Sequence, residues 1–265
     1  MNLDLNELLG SWTCCPDNVC ARVVRGENGE EVLQLRVDLG LLQMSLDGRP
    51  DGRRYRGLPS VGDYFEHERR VGNDLTEEDW RELHRELQQH NYRRLAFSSL
   101  AEESLGDSDS GQGRACLQRA LRDIEYCLAT LHRLDERKEE QWDTALTALL
   151  PTLVFNRARL LTRLRAAEDR YDEAIEEAEF GIRDRGQILA EAGFEQQREE
   201  NPAIAYLRQM GQRLREQHGI AMTLRERLDN AIEREDFEAA ARLRDELHGR
   251  RRDDLPPKLP APEET

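Results

Sequence analysis

The chain has 265 residues, with 54 acidic against 39 basic side chains and a formal net charge of −15. Charged residues make up 35% and aromatic residues 6%, which suits a helical protein with long solvated faces better than a compact β-rich or α/β one. The acidic balance argues against a protein dedicated to coating DNA or RNA, because phosphate binding needs a basic surface.

The first residues show no basic start followed by an apolar run, so no secretory signal is expected. No stretch of about 18 apolar residues exists, so no membrane span is expected. Five cysteines, Cys14, Cys15, Cys20, Cys116 and Cys127, an odd count without a signal, point to reduced thiols in the cytoplasm.

Residues 1–75 form the only β-like region. An apolar run at 19–24, a turn cluster at 26–30 and largely alternating Val32, Leu33, Leu35, Val37, Leu39 and Leu41 predict a β-hairpin. Its second strand closes at Gly48-Arg49-Pro50-Asp51-Gly52, where Pro and Gly supply turn dihedrals. Two strands alone are marginal, so the hairpin should pack on helices. A short helix follows to about Arg70, with Ser60 as its N-cap.

Residues 76–218 are predicted to be helical throughout. Thr76-Glu77-Glu78-Asp79 supplies a capping hydroxyl and first-turn acids, and Trp80, Leu83 and Leu87 share one face of a helix running to about Leu105. Residues 106–113 read as a polar loop; its Asp107 and Asp109 lack the bidentate acid that a calcium loop needs. Leu117, Leu121, Ile124, Leu128, Leu131 and Leu134 stripe the next helix. A further helix spans about 142–164, and Pro151 should end or kink it near Leu150. Helices at about 171–190, stopped near Gly193, and from Asn201-Pro202 toward Gly219 complete the group.

Residues 222–249 read as a short antiparallel helical hairpin. Leu224, Leu228 and Ile232 stripe its first helix, and Phe237, Ala240, Leu243 and Leu247 its second, with Asp236 as a cap. Each helix carries few apolar residues, so the hairpin should seek a partner surface. The pattern Leu224-x3-Leu228-x2-Ala231-Ile232-x3-Asp236-Phe237-Glu238-x-Ala240-Ala241-x-Leu243-Arg244-Asp245-Glu246-Leu247 resembles the UVR (UvrB/UvrC) motif. That motif occurs in excision-repair nuclease subunits, activators of protein-arginine kinases and some protein-unfolding ATPases, which share protein docking rather than catalysis. The resemblance implies that Phe237 is an apolar anchor, ringed by Leu228, Ile232, Ala240 and Leu243, with Glu238, Arg244 and Asp245 as a charged rim. Leu224 and Leu247 extend the same surface.

The rest of the chain departs from those proteins. A Gly-x4-Gly-Lys-[Ser/Thr] loop is missing, which excludes helicase or ATPase action, and the activators' paired Cys-x2-Cys zinc sites are missing too. Segments 36–44 and 48–52 resemble a recurrent segment near the start of bacterial proteins that carry a UVR motif at the carboxy terminus. Ala158, Leu161, Ala174, Ala178 and Gly181 resemble one tetratricopeptide unit; an ordinary helical hairpin with small crossing residues reads equally well.

The tail from Arg250 combines three arginines with a proline-rich run and is expected to be extended and disordered. Cys14-Cys15-x4-Cys20 lacks a second ligand pair for zinc, so no metal or cofactor is expected. Arg49, Arg53, Arg54 and Arg56 form one basic loop, read either as a phosphate contact or as pairing with acidic helices. The expectation is a mostly α-helical, non-catalytic adaptor or scaffold that docks a protein partner, another UVR-bearing protein or itself. The alternative is an accessory nucleic-acid-associated protein of DNA repair that uses the arginine loop.

Overall fold

The computed structural model describes residues 5–14, 19–26, 28–104, 111–137 and 140–253. Of the expected polar loop at 106–113, residues 106–110 with the acidic pair lie outside the described residues, as does the tail from 254, whereas Gly111 to Gly113 open a helix instead.

After a short helix α1 (Asn6–Gly10) come three antiparallel strands in the order β1 (Ala21–Arg25), β2 (Glu31–Val37) and β3 (Gly40–Ser45). The expected two-stranded hairpin is therefore corrected to a three-stranded sheet. The alternation of 32–41 runs across a two-residue reversal, because Val37 pairs with Gly40. Leu39 sits at its tip and is 97% exposed, so it continues the apolar pattern without belonging to the buried face. Val23 faces Leu33 in one register and Leu35 faces Leu42 in the other. Leu33, Leu35 and Met44 are buried in the same core as Leu87 and Phe97 of helix α3 (Glu77–Ser104). Helix packing thus supplies the apolar partner that a small sheet lacks.

The 48–52 segment turns as its residue types require: Ser45 N donates to Pro50 O at 2.9 Å, and Gly52 takes a φ of +71°. Helix α2 (Val61–Val71) starts where Asp63 N donates to Ser60 Oγ at 2.9 Å. At the start of α3, Asp79 N donates to Thr76 Oγ1 at 3.3 Å and Thr76 N donates back to Asp79 Oδ2 at 2.7 Å, a reciprocal cap.

Helices α3, α4 (Gly111–Glu136), α5 (Glu140–Ala167), α6 (Tyr171–Glu191) and α7 (Pro202–His218) follow, each packed on its neighbours in the chain. Helix α5 passes through Pro151 without ending, so of the two expected outcomes, a stop or a kink, the stop does not occur. Losing one intrahelical bond is offset by packing: Leu153 and Leu160 beyond the proline are completely buried. At the α5–α6 crossing, a Cβ on Gly181 would lie 2.2 Å from the Ala158 Cβ, so the small pair sets how closely these helices approach. Asn201 Oδ1 caps α7 by accepting from Ala203 N at 3.1 Å, and Gly219 ends it with a φ of +66°. Helices α8 (Leu224–Glu233) and α9 (Phe237–Asp253) complete the order. Arg250 to Arg252 are helical rather than extended, since α9 continues through them. Among the described residues, no helix is long and apolar enough to cross a membrane.

Candidate docking site

The α8–α9 hairpin is built from short-range rules. Thr223 and Glu226 form a capping box: Glu226 N donates to Thr223 Oγ1 at 3.3 Å, and Thr223 N donates to Glu226 Oε2 at 2.7 Å. Helix α8 ends through Glu235 in the left-handed region, φ +57°, with Asp236 N donating to Ala231 O at 2.9 Å. Asp236 then caps α9, its Oδ1 accepting from Ala239 N at 3.0 Å. Leu224, Ala231 and Ala240 are buried, and Leu228, Leu243 and Leu247 are half-buried. Small residues at 231 and 240 fit the close packing of the two helices.

The remaining expected docking residues face outward. Ile232 and Phe237, which bracket the turn, are 52% and 72% exposed. Phe237 therefore does not close the hairpin against Leu228 and Ile232. Glu238, Arg244 and Asp245 are exposed as well, with Arg244 Nη2 at 2.9 Å from Asp245 Oδ1.

Charge holds the base of the hairpin to the helical body. Arg215 of α7 reaches Glu179 of α6 at 2.5 Å and Glu226 of α8 at 2.8 Å. Glu176 of α6 accepts from Arg225 N at 3.1 Å, and the Arg225 guanidinium lies 4.8 Å from the Phe180 ring centroid. Burial pushes the Glu226 carboxyl up, but the Arg215 bonds and the Thr223 N–H outweigh it and hold it below its usual range. Glu176 and Glu179 are raised, chiefly by burial. The hairpin is thus fixed at its capped end and open at its turn.

The arginine loop is divided. Arg49 is 5% exposed and sits among Asp51 at 3.1 Å, Glu86 at 3.4 Å and Glu82. Arg56 pairs with Asp79 at 2.9 Å and donates to Tyr64 OH at 3.2 Å. Arg54 donates to Gly57 O at 3.0 Å, and Arg53 is exposed. Of the four cations, Arg49 and Arg56 already hold carboxylates of α3, which lies beside the loop.

Cys14 and Cys20 form a disulfide with Cα atoms 5.9 Å apart, which corrects the expectation of reduced thiols for this pair. They lie six residues apart in sequence, a pairing that an odd cysteine count does not register. Cys15 lies outside the described residues. Cys116 and Cys127 are free and buried, and burial pushes the Cys127 thiol up to about 12.

A buried polar network escaped the sequence reading. Arg93 donates to both oxygens of Asp123, at 2.8 and 2.7 Å, and to Ser45 O at 2.9 Å. His90 Nδ1 lies 2.9 Å from Asp123 Oδ1, and its ring stacks on Tyr126. Glu86 accepts from Tyr126 OH at 2.5 Å and from Val61 N at 2.9 Å. Burial pushes Glu86 up, yet His90, Tyr126, the Val61 N–H and Arg49 hold it below the usual carboxylate range. Arg93, Glu86 and Asp123 have no exposed surface, so the network ties α3, α4, α2 and the sheet together. Its signal was present: Leu83, Glu86, Leu87, His90, Arg93 and Phe97 follow one another at helical spacing, with polar residues at core positions.

No curated protein and no solved structure matches the chain. Residues 223–248, which span the capping box, α8, the turn and α9 as far as His248, match the family model of the UvrB/uvrC motif, so the α8–α9 hairpin is a UVR motif, a helical hairpin found in proteins of the UvrABC repair system.

Proposed function

We propose that the chain is a non-catalytic adaptor that docks a protein partner through its UVR hairpin, the partner being another UVR-bearing protein or a second copy. The exposure of Phe237 and Ile232 beside a turn whose own helices are capped and anchored carries this reading. An aromatic side chain left in water next to a β-branched one, with Glu238, Arg244 and Asp245 around it, has the composition of an interface anchor and its rim. The alternative, a nucleic-acid contact through the arginine loop, is weakened by the carboxylates on Arg49 and Arg56.

Phe237→Ala tests the proposal. The ring is 72% exposed, so its removal should leave the circular dichroism melt of the full chain within about 1 kcal/mol of wild type. The same change should weaken self-association by light scattering, or binding to a UVR-bearing partner, by about 30-fold or more, the effect of losing about 2 kcal/mol at an anchor. Association unchanged by Phe237→Ala refutes the docking assignment, and collapse of the whole melt makes the ring a core residue instead.

A further inference from the structure

We propose that a pocket between α3 and α5, floored by Arg94, binds a small organic carboxylate. The pocket encloses about 320 Å³ and is walled by Val19, Leu95, Ser98, Asn156 and Arg159. Arg94 is only 2% exposed. Its Nε donates to Asn91 Oδ1 at 2.8 Å, and among the described residues no carboxylate lies within ion-pair distance of it. A guanidinium does not shed its proton to escape burial, so an unpaired one is costly. The neighbouring Arg93 shows the contrast, because it is equally buried and Asp123 grips it with two bonds.

Two residues of the wall carry further donors. Ser98 Oγ and Arg159 Nε are buried with no hydrogen-bond partner. The Cys127 thiol near Arg94 is neutral at physiological pH and supplies no counter-charge. Glu102 is already bound to Arg159 and lies 3.5 Å from Arg163, and Glu103 is solvated at the rim. One positive charge therefore remains uncompensated, which fits a monoanion and disfavours a phosphate dianion beside those two acids. The terminal nitrogens of Arg94 match a planar carboxylate, and Leu95 and Val19 offer apolar contact to a short hydrocarbon body.

The test uses the full chain, with sodium benzoate and sodium isovalerate as probes against sodium chloride of equal ionic strength and against inorganic phosphate. At about ten times Kd, a carboxylate should raise the melting temperature by about 3–6 °C over the chloride control. Arg94→Met should abolish that rise without lowering the unliganded melting temperature, because it removes an unpaired buried charge. Calorimetry with benzoate should show Ser98→Ala binding at least fivefold more weakly than wild type, a readout independent of how Arg94→Met folds. The proposal is overturned by a wild-type protein that responds no more to either carboxylate than to chloride, by an equal response in Arg94→Met, or by unchanged benzoate affinity in Ser98→Ala. Stabilisation by phosphate equal to that by benzoate overturns the ligand class, and a large loss of unliganded stability in Arg94→Met overturns the uncompensated charge.

Discussion

Replacing Asp123 by Asn removes the anion between Arg93 and His90 while keeping the side chain's shape. Arg93 and Asp123 are fully buried and joined by bonds of 2.7 and 2.8 Å, and His90 is 2.9 Å from the same carboxylate. The variant leaves a guanidinium at zero exposure facing an amide. Breaking a buried pair from one side costs about 3–5 kcal/mol, which lowers the melting temperature by roughly 6–20 °C at this chain length. Circular dichroism melts and urea titrations at pH 7 measure it. The pH dependence adds a second check. Burial pushes the Asp123 carboxyl up, but Arg93 and His90 outweigh that and hold it below its usual range. A depressed folded pKa contributes stability that is complete above the unfolded value, about 3.9, and is lost as pH falls through the lower folded value. The gap between wild type and Asp123→Asn should therefore be constant above about pH 5 and shrink in acid. The double variant Arg93→Met/Asp123→Leu should recover most of the loss, because an apolar pair replaces the ions. A loss under about 1 kcal/mol for Asp123→Asn, or a gap that widens in acid, refutes the reasoning.

Gly181→Ala sets a Cβ 2.2 Å from Ala158 and 2.9 Å from Leu207 and should cost about 1–3 kcal/mol in urea unfolding; Ala158→Gly in the same chain should relieve part of it. The Glu226 carboxyl, held low by Arg215 and Thr223 N–H, should protect the amides of α8 above about pH 4.3 and lose that effect as pH falls through its depressed folded value. Hydrogen exchange corrected for intrinsic rates reads it, and Glu226→Gln should remove the pH dependence; equal protection at pH 7 and pH 3 contradicts the anchoring role. Alkylation of the unfolded chain followed by mass spectrometry should label Cys14 and Cys20 only after reduction, and label on either beforehand speaks against the Cys14–Cys20 bond.

Local rules were readable from residue types alone. The Ser60 cap, the reversal at 48–52, the stop at Gly219 and the Asp236 cap of α9 each appear where the sequence puts them, because a turn or cap is decided by a few adjacent dihedrals and one side-chain oxygen. The UVR hairpin was readable for the same reason: its stripe, acidic turn and small residues lie within 26 residues.

Other features depend on what lies across space. The split of 32–41 into two strands turns on which of its apolar residues reach α3, and alternation is the same on either side of a two-residue reversal. Pro151 stays inside a helix because packed neighbours on both sides outweigh one missing bond. Four arginines in a loop have the same formula whether solvated or caged, and only the placement of Glu82, Glu86 and Asp79 buries Arg49 and pairs Arg56, which stays exposed. Arg93 and Arg94 are adjacent in the chain, yet one meets Asp123, 30 residues away, and the other meets no carboxylate among the described residues. Sequence fixes the periodicity and chemistry of each helix; which charges are neutralised depends on distances between helices, and the tertiary structure alone sets those.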